Sequence, residues 1–251
     1  MWDPIQYLRF EDERLRPAVD LVARINHPGP KRVIDLGCGT GSGLRILAAR
    51  FPDSEVMGVD GSRAILEKAR SAGFPTEFAD IANWAPPEPV DIIFSNAALQ
   101  WLPDHAALLP RLLAYLTPGG VLAIQMPAMH HAPVRALQRV VASSGPWATR
   151  LSEVTSAPPI LEPSAYYDLL SGRAAAVDIW ETEYLHVLRG EDPVVQWAMG
   201  TSLRPYLDVL GPDDRIGFLT AYAEALRPHY PPQTDGSVLL PFRRLFVLAK
   251  N

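Results

Sequence analysis

Val33-Ile34-Asp35-Leu36-Gly37-Cys38-Gly39-Thr40-Gly41 is an apolar run that ends in three glycines at alternate positions, and a helical pattern opens directly after it at Ser42. Alternate glycines let a backbone turn sharply and come close to a ligand without a Cβ in the way, and the first turn of the following helix presents free N–H groups. A nucleotide-like molecule is the natural occupant. A dinucleotide fingerprint needs G-x-G-x-x-G, but counting from Gly37 the sixth position is Ser42, and counting from Gly39 it is Leu44. The third glycine is missing in either register, which disfavours a nicotinamide dinucleotide. No obvious hydride-transfer acid restores that reading.

Two acids follow at informative places. Asp60 ends the apolar run Val56-Met57-Gly58-Val59, nineteen residues after Gly41. A carboxylate leaving the second strand of a βαβ unit can accept hydrogen bonds from both ribose hydroxyls; the alternative is a cap for a helix over Arg63 to Ser71. Asp80 follows Thr76-Glu77-Phe78-Ala79 and precedes Ile81, and taken alone it could be an ordinary turn residue. The pattern Asp35, Gly37, Gly39, Gly41 resembles the D-x-G-x-G-x-G loop of class I S-adenosylmethionine (SAM) methyltransferases. That resemblance implies SAM as cofactor, held by Asp35, the three glycines and Asp60, with Asp80 accepting from the adenine amine and Ile81 flanking the ring.

At 251 residues the chain is long enough to bury a full core as one α/β domain with insertions. Its 23 basic and 28 acidic residues leave a net charge of −5, and no basic run is present, so nucleic acid is not an expected partner. The one cysteine, Cys38, cannot form an intramolecular disulfide, and metal-ligand spacing is absent. A reducing cytoplasm fits this usage. Lying between two glycines, Cys38 reads as a small residue under the cofactor rather than a nucleophile. The start, Met1-Trp2-Asp3-Pro4, lacks a basic-then-apolar signal, and no long apolar stretch occurs. A soluble, unprocessed protein, expected to be a monomer, is the reading.

Apolar runs near 33–36, 55–59, 76–79, 91–95 and 120–126 alternate with helical patterns, which predicts a parallel sheet with right-handed crossovers. Ligands in such sheets sit at the carboxyl ends of the strands, where the glycine loop, Asp60, Asp80 and the segment after Ser95 all fall. Thr117-Pro118-Gly119-Gly120 reads as the loop that stops a helix and starts the strand Val121 to Met126. Beyond Pro127 the texture changes to prolines, His130-His131 and short helical stretches. This predicts cap insertions over approximately 128–163 and 191–230 in a single 1–251 domain, the second carrying amphipathic helices marked by Trp197, Leu203 and Tyr206 and by Phe218, Tyr222 and Leu226. Val177 to Tyr184 alternates with period two and reads as a strand, and Arg244 to Ala249 as the last one.

Several segments together resemble the trans-aconitate 2-methyltransferase family: Trp2-Asp3-Pro4, Tyr7 and Arg14 to Ala18; Asn96 to His105; Gln125-Met126-Pro127; Tyr166 to Leu170; Val177 to Trp180; Leu203-Arg204-Pro205; and Arg244-Leu245-Phe246. The likeness covers most of the chain and is thinnest from Ala128 to Leu161. It implies a Rossmann-like fold, a mostly parallel seven-stranded sheet with an antiparallel last strand and a helical cap. It also implies transfer of the SAM methyl group to a carboxylate of a small unsaturated tricarboxylic acid, giving a monomethyl ester and S-adenosylhomocysteine. Such an acceptor needs no general base, because a carboxylate with pKa near 4 is already ionised at pH 7; what remains is positioning.

A tri-anion needs positive charge, for which arginine's planar fork is suited. Arg204, Arg243, Arg244 and His130 are the candidates, although Arg243 and Arg244, as strand neighbours, should point to opposite faces. Tyr7 could close over the site and Arg14 could bind the SAM carboxylate; Arg14 and Arg16, two apart on a helix, face different ways. Asn96 offers a donor and an acceptor near the transfer point, Gln100 is a weaker candidate of the same kind, and Trp101 could stack on the cofactor or simply pack in the core. Two other classes remain open to the sequence: a SAM enzyme acting on carbon, nitrogen or a phenol, and a SAM-binding module without turnover.

Overall fold

The computed structural model describes residues 11–154 and 158–251, with side chains from Leu15 onward. A first helix, α1 (Glu11–Arg24), precedes an alternation of β1 (Arg32–Leu36), α2 (Ser42–Arg50), β2 (Glu55–Asp60), α3 (Arg63–Ser71), β3 (Thr76–Phe78), β4 (Val90–Asn96), α4 (His105–Ala114) and β5 (Leu116–Pro127). Then come α5 (Pro133–Ser144), α6 (Ala148–Leu151), α7 (Pro163–Ser171), β6 (Ala176–Leu188), α8 (Pro193–Met199), α9 (Arg204–Val209), α10 (Pro212–Leu226) and β7 (Val238–Lys250).

The seven strands form one sheet in the order β3-β2-β1-β4-β5-β7-β6. β1 pairs in parallel with β2 and β4, β2 with β3, and β4 with β5, whereas β7 runs antiparallel to β5. Val33, Leu36, Ile92, Ile93 and Phe94 are buried, the near-continuous apolar strand expected where helices cover both faces. Strand order reverses between β1 and β4, so the loops leaving their carboxyl ends diverge and open a crevice. Ser95 Oγ donates to the Leu36 carbonyl at 2.7 Å and ties the two strand ends together.

At the opposite edge the structure departs from the simple loop expected at Thr117–Gly120. β5 already pairs at Leu116 with Val90, and pairing resumes at Val121 with Ile92, so four residues bulge opposite Asp91. The cause is the Asp91 carboxylate, which accepts from the N–H groups of Lys31 and Arg32 (2.7 and 3.0 Å) and from the Thr117 hydroxyl (2.7 Å). Burial acts to raise its pKa, but those bonds outweigh it and hold the group below the ordinary carboxylate value.

The chain divides into two compact units. One comprises Asp12–Pro127, Pro158–Thr182 and Arg244–Asn251 and contains β1 to β5. The other takes in Ala128–Ala157 and Glu183–Arg243 and has its own core, with Phe218 and Tyr222 fully buried among Val134, Trp147, Leu203 and Tyr206. Trp147 meets Phe218 edge-on at 5.6 Å and its Nε1 donates to the Val141 carbonyl. Each such aromatic contributes about 2–3 kcal/mol by burial. This second segment is longer at both ends than 191–230, because Leu188 from β6 and Val238, Leu240 and Phe242 from β7 belong to the same core. Among the described residues no helix is long and apolar enough to cross a membrane.

Candidate cofactor and acceptor site

The glycine loop takes the backbone shape that only glycine adopts cheaply: φ is +84° at Gly37, +54° at Gly39 and +89° at Gly41. Gly37 and Cys38 donate to the Val59 carbonyl (2.8 and 3.1 Å), pinning the loop to the end of β2. A Cβ on Gly37 would lie 2.2 Å from Ala98 Cβ and 3.3 Å from Ile81 Cδ1. The loops after β1, β3 and β4 therefore converge there, which brings Ile81 to the glycines. At Gly39 a Cβ would meet nothing within 4 Å; that glycine faces open space, on the side where a ligand can approach.

Asp60 lies beside this opening. Its Oδ2 accepts from the Gly39 N–H (3.0 Å) and its Oδ1 from the Ser62 N–H (2.9 Å), so one of the loop's own N–H groups is already used. α3 has no side-chain cap, and the helix-capping alternative for Asp60 is not what the geometry realises. A carboxylate has about four lone-pair positions, so each oxygen retains acceptor capacity toward a ribose. Asp35 is 2 % exposed beneath Gly43, and burial, then the charge of Asp60, push its pKa up to about 8. Cys38 packs against Gly58, and burial, then Asp35 and Asp60, raise its thiol far above the ordinary range; it is no nucleophile. Asp80 is exposed and accepts from the Ala82 N–H (3.0 Å) and Asn83 Nδ2 (2.9 Å), as a turn residue does.

At the end of β4, Asn96 Oδ1 is buried with no hydrogen-bond partner among the described residues. Ala97 follows with φ +53°, a left-handed conformation that costs a non-glycine residue about 1–2 kcal/mol, and donates to the Gln125 carbonyl at 2.9 Å. Gln125 itself escaped the sequence reading except as part of Gln-Met-Pro. It is fully buried, sits opposite Asn96 in the parallel ladder, and neither of its amide atoms has a partner among the described residues. Parallel partners share a face, so two neutral amides with unused capacity stand side by side where β4 and β5 end. The only sequence signal was a glutamine closing an otherwise apolar strand. Gln100 is nearly buried, with Nε2 donating to Ala97 and Oε1 unpartnered. Trp101 is 56 % exposed, which removes core packing as its role.

His105, within the same segment, is structural. Its Nε2 lies 2.9 Å from the Leu99 carbonyl, which can only accept, so Nε2 carries the proton and Nδ1 accepts from the Tyr166 hydroxyl at 2.6 Å. Tyr166 in turn accepts from the Leu161 N–H.

The remaining candidates fall elsewhere. Arg244 is buried and Arg243 exposed, as neighbours on β7; Arg243 Nε donates to the Ala128 carbonyl at 3.4 Å. Arg204 opens α9, exposed, with Nε 3.5 Å from Asp208 Oδ2. His130 is half-buried with its ring edge-on to His131 at 5.0 Å, and burial, then Arg139, His131 and Arg135, lower its pKa. Tyr7 and the Arg14 side chain lie outside the described residues. No group of three or more potential metal ligands occurs among the described residues.

The fold and this edge define a class. Residues 7–159 match the family model described as a methyltransferase domain. The solved structure of the YcgJ protein of Bacillus subtilis matches with TM-score 0.62 at 14 % identity, covering 94 % of this chain and 98 % of that one. An S-adenosylmethionine-dependent methyltransferase of Mesorhizobium loti matches at 0.52 and 21 % identity, covering 95 % and 98 %. The architecture is that of the class I SAM-dependent methyltransferases, with SAM as cofactor. The open face of Gly39, the spare acceptor capacity of Asp60 and the unpartnered Asn96 oxygen fit such a group. Within that class, the trans-aconitate 2-methyltransferase of Methylobacterium radiotolerans is 51 % identical over 100 % of this chain and 98 % of its own. The chain belongs to the trans-aconitate 2-methyltransferase family.

Proposed function

We propose that this protein transfers the methyl group of SAM to a carboxylate of trans-aconitate, forming the monomethyl ester and releasing S-adenosylhomocysteine. The observation that carries this reading is the 51 % identity, over the whole chain, to a protein named for that activity. The bound cofactor supplies a methyl group on a positively charged sulfur. Asp35, Gly37, Gly39, Gly41 and Asp60 receive it, with Asp60 accepting from the ribose hydroxyls; Asp80 and Ile81 attend the adenine, and Arg14 the amino-acid carboxylate.

The acceptor carboxylate arrives ionised, so no side chain has to remove a proton. The work of the residues is to hold it in line, with Asn96 and Trp101 as positioning groups. Neutral amides suit this place. A guanidinium on the reacting carboxylate would draw electron density from the attacking oxygen and repel a sulfonium, whereas an amide N–H fixes an oxygen without adding charge. Tyr7, Arg204, Arg243, Arg244 and His130 are the candidates for the rest of the acid. The chain acts as one methyltransferase domain, in the cytoplasm, as a monomer, without nucleic acid or membrane.

The test is transfer of labelled methyl from SAM to trans-aconitate, cis-aconitate, citrate and isocitrate, followed by mild base. Base-labile label appearing mainly with trans-aconitate is the expected result. SAM binding without transfer to any of these acids would move the search to carbon, nitrogen or phenolic acceptors, or to a binding module.

A further inference from the structure

Arg135, on α5, is half-buried, yet its guanidinium makes no hydrogen bond or ion pair among the described residues. Arg150, Arg189 and Arg227 of the same unit each have an acid: Asp214, Asp235 and Asp192 respectively. Arg135 instead has Arg139 one turn further along the same helix face, an arrangement of like charges that opposes folding. Arg139 donates to the His130 carbonyl at 3.2 Å, and the His130 ring meets His131 edge-on. Two arginines and two histidines are thus gathered at the first turns of α5, where the helix dipole adds further positive potential. Tyr222 and Tyr206 are the other ionisable groups near Arg135, but phenols are neutral at pH 7 and offer no counter-charge. Burial, with Arg139 acting in the same direction, pulls the Arg135 guanidinium below its ordinary value.

A half-buried cation with no counterion among the described residues is costly, and an anionic ligand would offset that cost. We infer that Arg135 and Arg139, flanked by His130 and His131, form a site on this unit that binds a polycarboxylate of the acceptor's chemistry. This rests on the carboxyl-methyltransferase reading and deepens it: the residues selecting a polyacid over a monoacid are on α5. A fork donor facing a carboxylate gives the two-point contact that Arg204, tied to Asp208, is less free to make.

The test is calorimetric titration of trans-aconitate into the protein saturated with S-adenosylhomocysteine, where no turnover occurs, alongside steady-state kinetics. Arg135→Gln should weaken trans-aconitate binding and raise its KM about 10- to 100-fold, with SAM affinity within about twofold of the parent. Arg135→Lys should recover part of the loss, and Arg139→Gln should give a smaller effect of the same kind. Arg189→Gln, in the same unit but exposed and ion-paired, should leave KM unchanged. The thermal midpoint of ligand-free Arg135→Gln should be equal to or above the parent, since an unpaired half-buried charge is removed. A lowered midpoint with parallel losses of SAM and acid affinity would make Arg135 structural and overturn the inference. Unaltered acid binding in Arg135→Gln would overturn it while leaving the methyltransferase reading intact. If the parent does not methylate trans-aconitate, the reading fails and the site is judged on citrate and isocitrate binding: loss in the variant supports it, and no binding to the parent overturns it.

Discussion

The glycine-rich edge and the first turns of α5 differ in their ionisable groups: carboxyl groups gather at the first and guanidinium groups at the second. At the edge, Asp60 answers two backbone N–H groups and Asp35 is buried beneath the loop. On the second unit, Arg135 and Arg139 share one helix face with no acid paired to them among the described residues. A cationic cofactor suits the first and a polyanionic acceptor the second. The lesson is that unbalanced charge inside a fold marks what the fold is built to receive, since each imbalance lowers the stability of the empty protein.

The largest break in this comparison should come from Gly37→Ala. The new Cβ would meet Ala98 at 2.2 Å, at φ +84°, so the fold should lose about 2–5 kcal/mol and SAM binding should vanish. Thermal unfolding and calorimetry read both, and SAM affinity like that of the parent would refute the cradle. Asp60→Ala comes next. It removes charge-assisted acceptors worth about 1.5–3 kcal/mol each and should weaken SAM by tenfold or more, without altering acid binding to α5; unchanged SAM affinity takes Asp60 out of the site.

The empty edge can be sharpened by pH. The folded pKa of Asp35, about 8, is above the ordinary value of 3.8, so between those values the folded state holds a proton the unfolded state has released. The contribution of Asp35 to the stability of the cofactor-free protein should therefore be full at low pH and decline as pH rises toward 8, by on the order of 3 kcal/mol from pH 5. Asp35→Asn should abolish that decline, measured by denaturant unfolding across the range; a parallel slope in the variant would locate the titration elsewhere. The smallest effect is expected from Arg204→Ala. Because Arg204 is exposed and already paired with Asp208, its KM for trans-aconitate should rise less than about threefold, the scale of a solvated ion pair. A larger rise would shift the acid's recognition from α5 to α9.

Much of the edge was legible in the chain because its signals are local. Alternate glycines report positive φ within nine residues, and the spacing to Asp60 reports the second strand of the same βαβ unit. The strands β1 to β5 were legible for the same reason, as apolar runs between turn residues. The Thr117–Gly120 bulge was not, since it depends on Asp91 gathering N–H and hydroxyl donors from β1 and β5. Gln125 was hidden inside an apolar strand, because only the ladder places it beside Asn96. Arg135 was passed over because an arginine on an amphipathic helix ordinarily reaches water. Its partial burial follows from its neighbour Val134 packing α5 into the core around Phe218 and Tyr222, some eighty residues away in the chain.

By itself, then, the amino-acid order determined the Rossmann-like class, the cofactor loop and the acids that follow it, all of which rest on backbone conformation and strand spacing within one stretch of chain. The tertiary structure alone decided which polar side chains lose their water. That property belongs to no residue type, because burial and missing partners arise only when distant segments pack together, and the unpartnered Asn96 oxygen, the Gln125 amide and the Arg135 guanidinium exist as features only there.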